Sequence, residues 1–260
     1  MDSSIKEQFE RDGFYRAERV FSTAEMDKLE RHFDAIVDQL RDNGEAVNAR
    51  WKGSAVDQID QGQVTELYHT HNVQKFSAAW MQAWLHPRFL SVAREILGRD
   101  IILHHSKLFQ KPAEKGAPFP IHQDWSYFPM QKDTMIAGVV HVSDASEEMG
   151  CLRVYPGTHR LGRMEESDGK NPSKTLSDYP LEKAVPVECR RGDVLFFHYF
   201  TLHGSMSNRS ARIRKTVLAQ LHSGDDRMDE CHHHPNEQLT LSGFNRTMKR
   251  SLAAKTTGER

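Results

Sequence analysis

The stretch IHQDWSYFP sets an imidazole, His122, two positions before a carboxylate, Asp124, and much later GDVLFFHYFTLHGS supplies a second imidazole, His203. Two imidazoles and one carboxylate can occupy one face of an octahedral metal and leave the other positions for a chelating cosubstrate and dioxygen, the ligand set of non-heme iron(II) oxygenases. In an extended segment residues i and i+2 point to one face, so His122 and Asp124 project together while Gln123 points away. A His-x-Asp pair means little alone in a chain with 15 histidines and 36 acidic residues, so its context must decide. Downstream of His203, Arg214 opens the apolar run RKTVLAQL, which reads as a strand. A guanidinium there pairs two-pronged with a carboxylate in a way lysine cannot match, which points to 2-oxoglutarate as the chelator. His198 is the rival for the third ligand; the other reading of it, alternating with Phe196 and Phe200, is a buried hydrogen-bonded histidine.

Over roughly residues 100 to 222 the chain resembles the phytanoyl-CoA dioxygenase family of iron(II) and 2-oxoglutarate dependent oxygenases. The resemblance rests on HQDWSYFP, GCLRVYPGTHRLG, RRGDVLFFHYFTLHGS and RIRK, in the family's order and near its spacing. It implies that His122, Asp124 and His203 hold Fe(II), that Arg214 pairs with the distal carboxylate of 2-oxoglutarate, and that Ser205 assists that contact. It also puts Lys107, in HHSKLFQKP, near the cosubstrate. The reaction implied consumes O2 and 2-oxoglutarate, releases succinate and CO2, and hydroxylates, desaturates or cyclises the substrate. Halogenating relatives carry a small residue where this chain has Asp124, so the carboxylate argues against halogenation. MIAGVVHVSDA lacks the tryptophan many relatives place beside the cosubstrate, and no pocket residue is assigned from that strand.

Elements that would position these groups are legible around them. The first hundred residues read as a helical support region. Ser22 opens a capping box with Glu25, and Met26, Leu29, Phe33, Ile36, Val37 and Leu40 follow at helical spacing. KFSAAWMQAWL reads as a second helix, and a third starts at Pro87 and stops at Gly98. From Ile101 the pattern changes to short β-rich runs, IILHHSKLF, TMIAGVVHV, AVPVECRRGDVLFF and KTVLAQLH. The expected fold is mainly β with flanking α: a double-stranded β-helix, or cupin-like jelly roll, over 101–224, with the helices of 1–100 packed outside the sheet and 225–260 a C-terminal extension of one domain. His104 and His105 are neighbours in a strand, so one of them faces the interior. Residues 43–72 and 162–180 are irregular, and the first is expected to order over substrate.

Trp125 and Tyr127 follow the metal motif, and one of them is a candidate substrate contact, with core packing as the alternative. Arg153 is a candidate partner for an anionic substrate, against a surface salt bridge; His141 and His159 are structural or pocket-lining. The tract Cys231, His232, His233, His234 reads as an exposed loop rather than a zinc site, and the basic tail as a solvated end.

With 35 basic and 36 acidic residues, nothing in the charge points to nucleic acid or a membrane as partner. The start MDSSIKEQFERDGF lacks an export signal, no segment approaches a membrane span, and three cysteines without metal spacing read as free thiols, which together suggest a cytoplasmic protein. Three functions remain: a hydroxylase of a small-molecule metabolite, an acyl-CoA hydroxylase, and a catalytically silent jelly-roll binding domain. A CoA substrate needs a basic entrance for its phosphates, which the scattered lysines and arginines do not display. Joint presence of His122, Asp124, His203 and Arg214 argues against silence.

Overall fold

The computed structural model describes residues 4–165, 174–229 and 236–249. Its core is a pair of antiparallel sheets. The major sheet contains β1 (Phe14–Ala17), β2 (Tyr68–His71), β3 (Ile101–Lys111), β5 (Ile136–His141), β8 (Val194–His198), β10 (Arg214–Ser223) and β11 (Leu239–Ser242), in the order β1-β8-β5-β10-β3-β11 with β2 also paired to β3. The minor sheet is β4 (Phe119–His122), β9 (His203–Ser205), β6 (Leu152–Val154) and β7 (Val185–Val187), in that spatial order.

Neighbouring residues of the major sheet serve two different cores. Ala137, Val139, Leu195, Phe197 and Leu218 pack against Leu152, Val154 and Val187 of the minor sheet. Between them, Val140, Val194, Phe196, Val217 and Ala219 turn outward onto helices. Burial on both faces explains why β5 reads as a continuous apolar run rather than an alternating one. The helices are α1 (Ile5–Asp12), α2 (Thr23–Asp42), α3 (Ser54–Asp60), α4 (Val73–Phe76), α5 (Ala78–Trp84), α6 (Pro87–Leu97) and α7 (Lys174–Ser177). Phe33 of α2, Trp80 and Trp84 of α5 and Phe89 of α6 are fully buried in the outer core, each worth roughly 2–3 kcal/mol of transfer free energy.

The expected helix starts at Ser22 and Pro87 are present, and Ser22 and Glu25 close both halves of the capping box. Three features differ from the sequence reading. KFSAAWMQAWL is two helices, because Ser77 is extended (φ −146°, ψ 123°) and its hydroxyl accepts from the Ala79 amide to cap α5. The helical support region also gives strands β1 and β2 to the major sheet, and the C-terminal extension gives β11, because their backbone edges complete ladders on β8 and β3. Finally, β3 bulges opposite Gln220 and Leu221, which pair with His105 and Leu103 and leave His104 as the extra residue. Both imidazoles therefore lie side by side, joined Nδ1 to Nδ1 and packed on Phe128, instead of facing opposite ways.

Candidate metal centre

The three expected ligands converge through register. His122 and His203 are direct partners across β4 and β9, so their rings share a face with centroids 4.2 Å apart. The backbone stays extended through Gln123 (φ −112°, ψ 143°), and Asp124 then opens a 3-10 turn held by its amide donating to the Tyr199 carbonyl at 2.9 Å. Gln123 is turned away and satisfied, donating to the Gly162 and Phe200 carbonyls and accepting from the Met164 amide. Gly204 between His203 and Ser205 has a steric reason: a Cβ there would stand 2.6 Å from the Phe119 carbonyl.

Both imidazole tautomers follow from their partners. His122 Nδ1 lies 2.8 Å from the Pro120 carbonyl and His203 Nδ1 2.9 Å from the Thr201 carbonyl. A carbonyl only accepts, so each Nδ1 carries the hydrogen, which in the neutral tautomer leaves Nε2 with its lone pair. Those Nε2 atoms stand 3.5 and 3.7 Å from Asp124 Oδ1, and the donor atoms of the trio lie within 4.8 Å of one another. With bonds of about 2.1 Å, adjacent octahedral ligands lie roughly 3 Å apart, so the trio surrounds a space slightly wider than one face of a small divalent ion and would close on it by a short inward shift of the side chains. Gln220 Nε2 donates to Asp124 Oδ2 at 2.7 Å and leaves Oδ1 for the metal. Burial opposes ionisation of Asp124, but His203, the His122 contact and Lys107 together hold it well below the usual carboxylate range. Burial and His122 push the His203 imidazolium down to about 4, so the ring is a neutral ligand at neutral pH.

A cavity of about 90 Å³ runs from the trio toward Arg214, walled by Phe109, Phe119, Leu152 and Thr216. Arg214 and Lys111 are direct partners across β10 and β3, both buried. The Arg214 guanidinium donates to the Gly150 carbonyl, while its buried Nε has no partner. Lys111 Nζ donates to Ser205 Oγ at 2.7 Å and to the Met206 carbonyl at 2.6 Å. Burial lowers both cations, Arg214 to about 10 and Lys111 far below its ordinary value, the latter with help from Arg214. Among the described residues neither forms an ion pair, so the pair is a cationic seat without a counter-ion.

The remaining expected residues scatter. Ser205 lines the cavity beside the cation pair. Lys107 lines it too, but at the Asp124 end, with its ammonium 4.8 Å from the Phe128 ring centre. Burial lowers Lys107 to about 8 against the pull of Asp124. Trp125 does not line the cavity and lies under Arg163; Tyr127 packs against Phe128 and Trp51. Arg153 is turned away from the cavity, its guanidinium bound to the Glu182 and Ala184 carbonyls and to Glu147, because β6 points that side chain at the loop preceding β7. His198 spends one ring nitrogen on the Asp133 carbonyl and the other on the Phe200 amide. His159 bonds the Glu10 carbonyl, and buried His141 is pushed down to about 4 by burial and Arg214. Cys231 to His234 and residues 166–173 of the second irregular stretch lie outside the described residues.

Three residues were not anticipated. Lys111 is legible only from the β3/β10 register, whereas Gln220 shares strand parity with Arg214 and was accessible to that argument. Trp51 carried no signal; its ring stands 5.0 Å from His122 and 5.3 Å from Phe119.

A jelly roll holding two imidazoles and a carboxylate on one face defines the class of non-heme iron oxygenases. The family model for phytanoyl-CoA dioxygenase (PhyH) matches residues 9–216, and the chain belongs to that family. It is 31% identical over 159 residues to the peroxisomal phytanoyl-CoA dioxygenase of Homo sapiens, covering 56% of this chain but 45% of that one, so the chain spans less than half of that relative's length. It is 25% identical over 244 residues to the ectoine dioxygenase of Bordetella parapertussis, covering 86% of this chain and 76% of that one. Among solved structures, the non-heme α-ketoglutarate dependent epimerase SnoN and carbocyclase SnoK of nogalamycin biosynthesis superpose with TM-scores of 0.70 and 0.72 at 21% and 20% identity. These cover 93% of this chain and 95% of SnoN, and 92% of this chain and 93% of SnoK, a likeness of fold. Among the described residues no helix is long and apolar enough to cross a membrane.

Proposed function

We propose that this chain is an Fe(II) and 2-oxoglutarate dependent dioxygenase that hydroxylates, desaturates or cyclises a small-molecule metabolite. The observation that carries the reading is one cavity that joins the His122, Asp124, His203 face to buried Arg214, with Lys111 paired to Arg214 across the strands and bonded to the lining Ser205. That polarity suits a dianion that chelates at one end and is gripped at the other. Bound together, Fe(II), 2-oxoglutarate and O2 supply oxidative decarboxylation to succinate and CO2 with oxidation of a substrate C–H bond.

The chain's own residues do the positioning. Nε2 of His122, Nε2 of His203 and Asp124 Oδ1 hold the ion, and Gln220 keeps the carboxylate from rotating. Arg214 and Lys111, with Ser205 relaying to Lys111, orient the distal carboxylate, and Leu152, Phe109 and Phe119 exclude water around the chain between. A carboxylate at position 124 favours oxygen insertion over halide transfer. Acyl-CoA is the lesser reading: the large arginine-lined groove of Arg16, Arg19, Arg88, Arg190 and Arg191 shares no lining residue with the metal cavity.

Anaerobic addition of Fe(II) and then 2-oxoglutarate to the purified protein should raise a weak visible charge-transfer band that Arg214→Ala shifts to much higher 2-oxoglutarate. A folded native protein without the band would refute the reading and favour a silent binding domain.

A further inference from the structure

The metal cavity holds one cation, Lys107, that stands at the Asp124 end and apart from the Arg214 seat. Lys107 projects from the middle of β3, where its cross-strand partners are Leu218 on β10 and His71 on β2. Among the described residues its ammonium donates no hydrogen bond, and it stands 4.8 Å over the Phe128 ring centre. Asp124, the nearby anion, is committed: Oδ2 accepts from Gln220 and Oδ1 faces both ligand imidazoles. The seat formed by Lys111 is four residues further along the strand, roughly 13 Å at the usual rise, so Lys107 cannot share a carboxylate with it.

Charge inventory places the missing anion. With the oxygenase loaded, the two charges of Fe(II) meet Asp124 and the chelating carboxylate, and Arg214 and Lys111 share the distal carboxylate. Lys107 has no carboxylate left beside it in a water-poor space, which is strongly unfavourable unless a ligand brings the counter-charge. Strand β2 brings two imidazoles beside the cavity-lining residues of β3. His69, the partner of Phe109 and stacked on it at 5.1 Å, has a buried Nε2 with no partner, and exposed His71, the partner of Lys107, lies 4.5 Å from His69.

Resting on the oxygenase reading, we propose that the substrate itself carries a small oxyanion, a carboxylate or a phosphonate-type group, and that Lys107 seats it with His69 and His71 as N–H donors beside it. The substrate then enters along β2 with its anionic end on Lys107 and its oxidisable carbon toward the metal, while 2-oxoglutarate occupies the opposite end.

The test titrates propionate and methylphosphonate into anaerobic protein loaded with Fe(II) and 2-oxoglutarate, reading the charge-transfer band and tryptophan fluorescence. One probe should bind saturably and Lys107→Met should weaken it about thirtyfold or more, with Lys107→Arg retaining it and 2-oxoglutarate affinity unchanged. The preferred probe tells carboxylate from phosphonate. Two results overturn the proposal: neither probe binding, or Lys107→Met weakening 2-oxoglutarate and not the probes, which would make Lys107 a cosubstrate residue. Should Lys107→Met fail to fold, exposed His71→Gln must weaken the probe several-fold, and unchanged binding counts against the subsite. If the native protein yields no charge-transfer band, the oxygenase reading fails separately. Probe binding to metal-free protein by tryptophan fluorescence, and its loss in Lys107→Met, then decides the anion subsite by itself.

Discussion

At the scale of single residues the centre depends on side chains that never reach the metal. The Gln220 amide fixes one carboxylate oxygen of Asp124, and two carbonyls, of Pro120 and Thr201, select the imidazole tautomers. Removing such a support typically costs 10–100-fold in metal affinity, so Gln220→Ala should weaken Fe(II) or Co(II) binding by about that factor without unfolding the protein, and unaltered metal titration would refute its role. Buried histidines also set the acid limit. His141 and His198 are each pushed down to about 4, mainly by burial. Their folded values lie below the ordinary value near 6.5, so between these pH values the unfolded chain binds more protons than the folded one. Stability is therefore full above about pH 6.5, declines as pH falls and levels off near pH 4. Melting temperature should follow that course in metal-free protein, and His198→Gln should flatten part of it; a melting temperature constant from pH 7 to 4 would contradict the assignment.

At the scale of elements, the two faces of the major sheet do separate jobs, and adjacent phenylalanines report on each. Phe196 packs outward against Phe89 at 5.4 Å, whereas Phe197 lines the metal cavity 4.4 Å from His203. Phe196→Ala should cost roughly 3–5 kcal/mol of unfolding free energy yet leave metal affinity intact, while Phe197→Ala should disturb metal and 2-oxoglutarate binding as well. Denaturant melts and metal titrations of both variants check this; equal effects on metal binding would mean the faces are not independent. Strand β10 works as a ruler on the inner face: Arg214, Thr216, Leu218 and Gln220 alternate inward, so the buried guanidinium in the cavity and the brace on Asp124 come from one strand at even spacing. The bulge at His104 is the exception to alternation, and it gathers two imidazoles on Phe128.

For the whole molecule, the segment before β2 closes one side of the centre. Arg50 is tied to Asp57, Asp60 and Thr65, and Asp60 accepts from Ser207 just beyond β9, which sets Trp51 over His122. Amide exchange across 43–67 should slow when Fe(II), 2-oxoglutarate and an accepted substrate are bound, and unchanged protection would exclude a covering role. The sequence by itself determined what local chemistry can state: the His-x-Asp pair, the strand arginine, the Ser22 capping box, the Pro87 helix start and the change to short β-rich runs at Ile101. These are readable because spacing along one element, by twos in a strand or by threes and fours in a helix, dictates which side chains share a face. Only the tertiary structure decided that Lys111 stands opposite Arg214, that Arg153 turns away, and that Trp51 packs on His122. Each of those depends on register between strands or on a loop crossing the fold, and such long-range pairing is set by how two cores share one sheet, which no local spacing encodes.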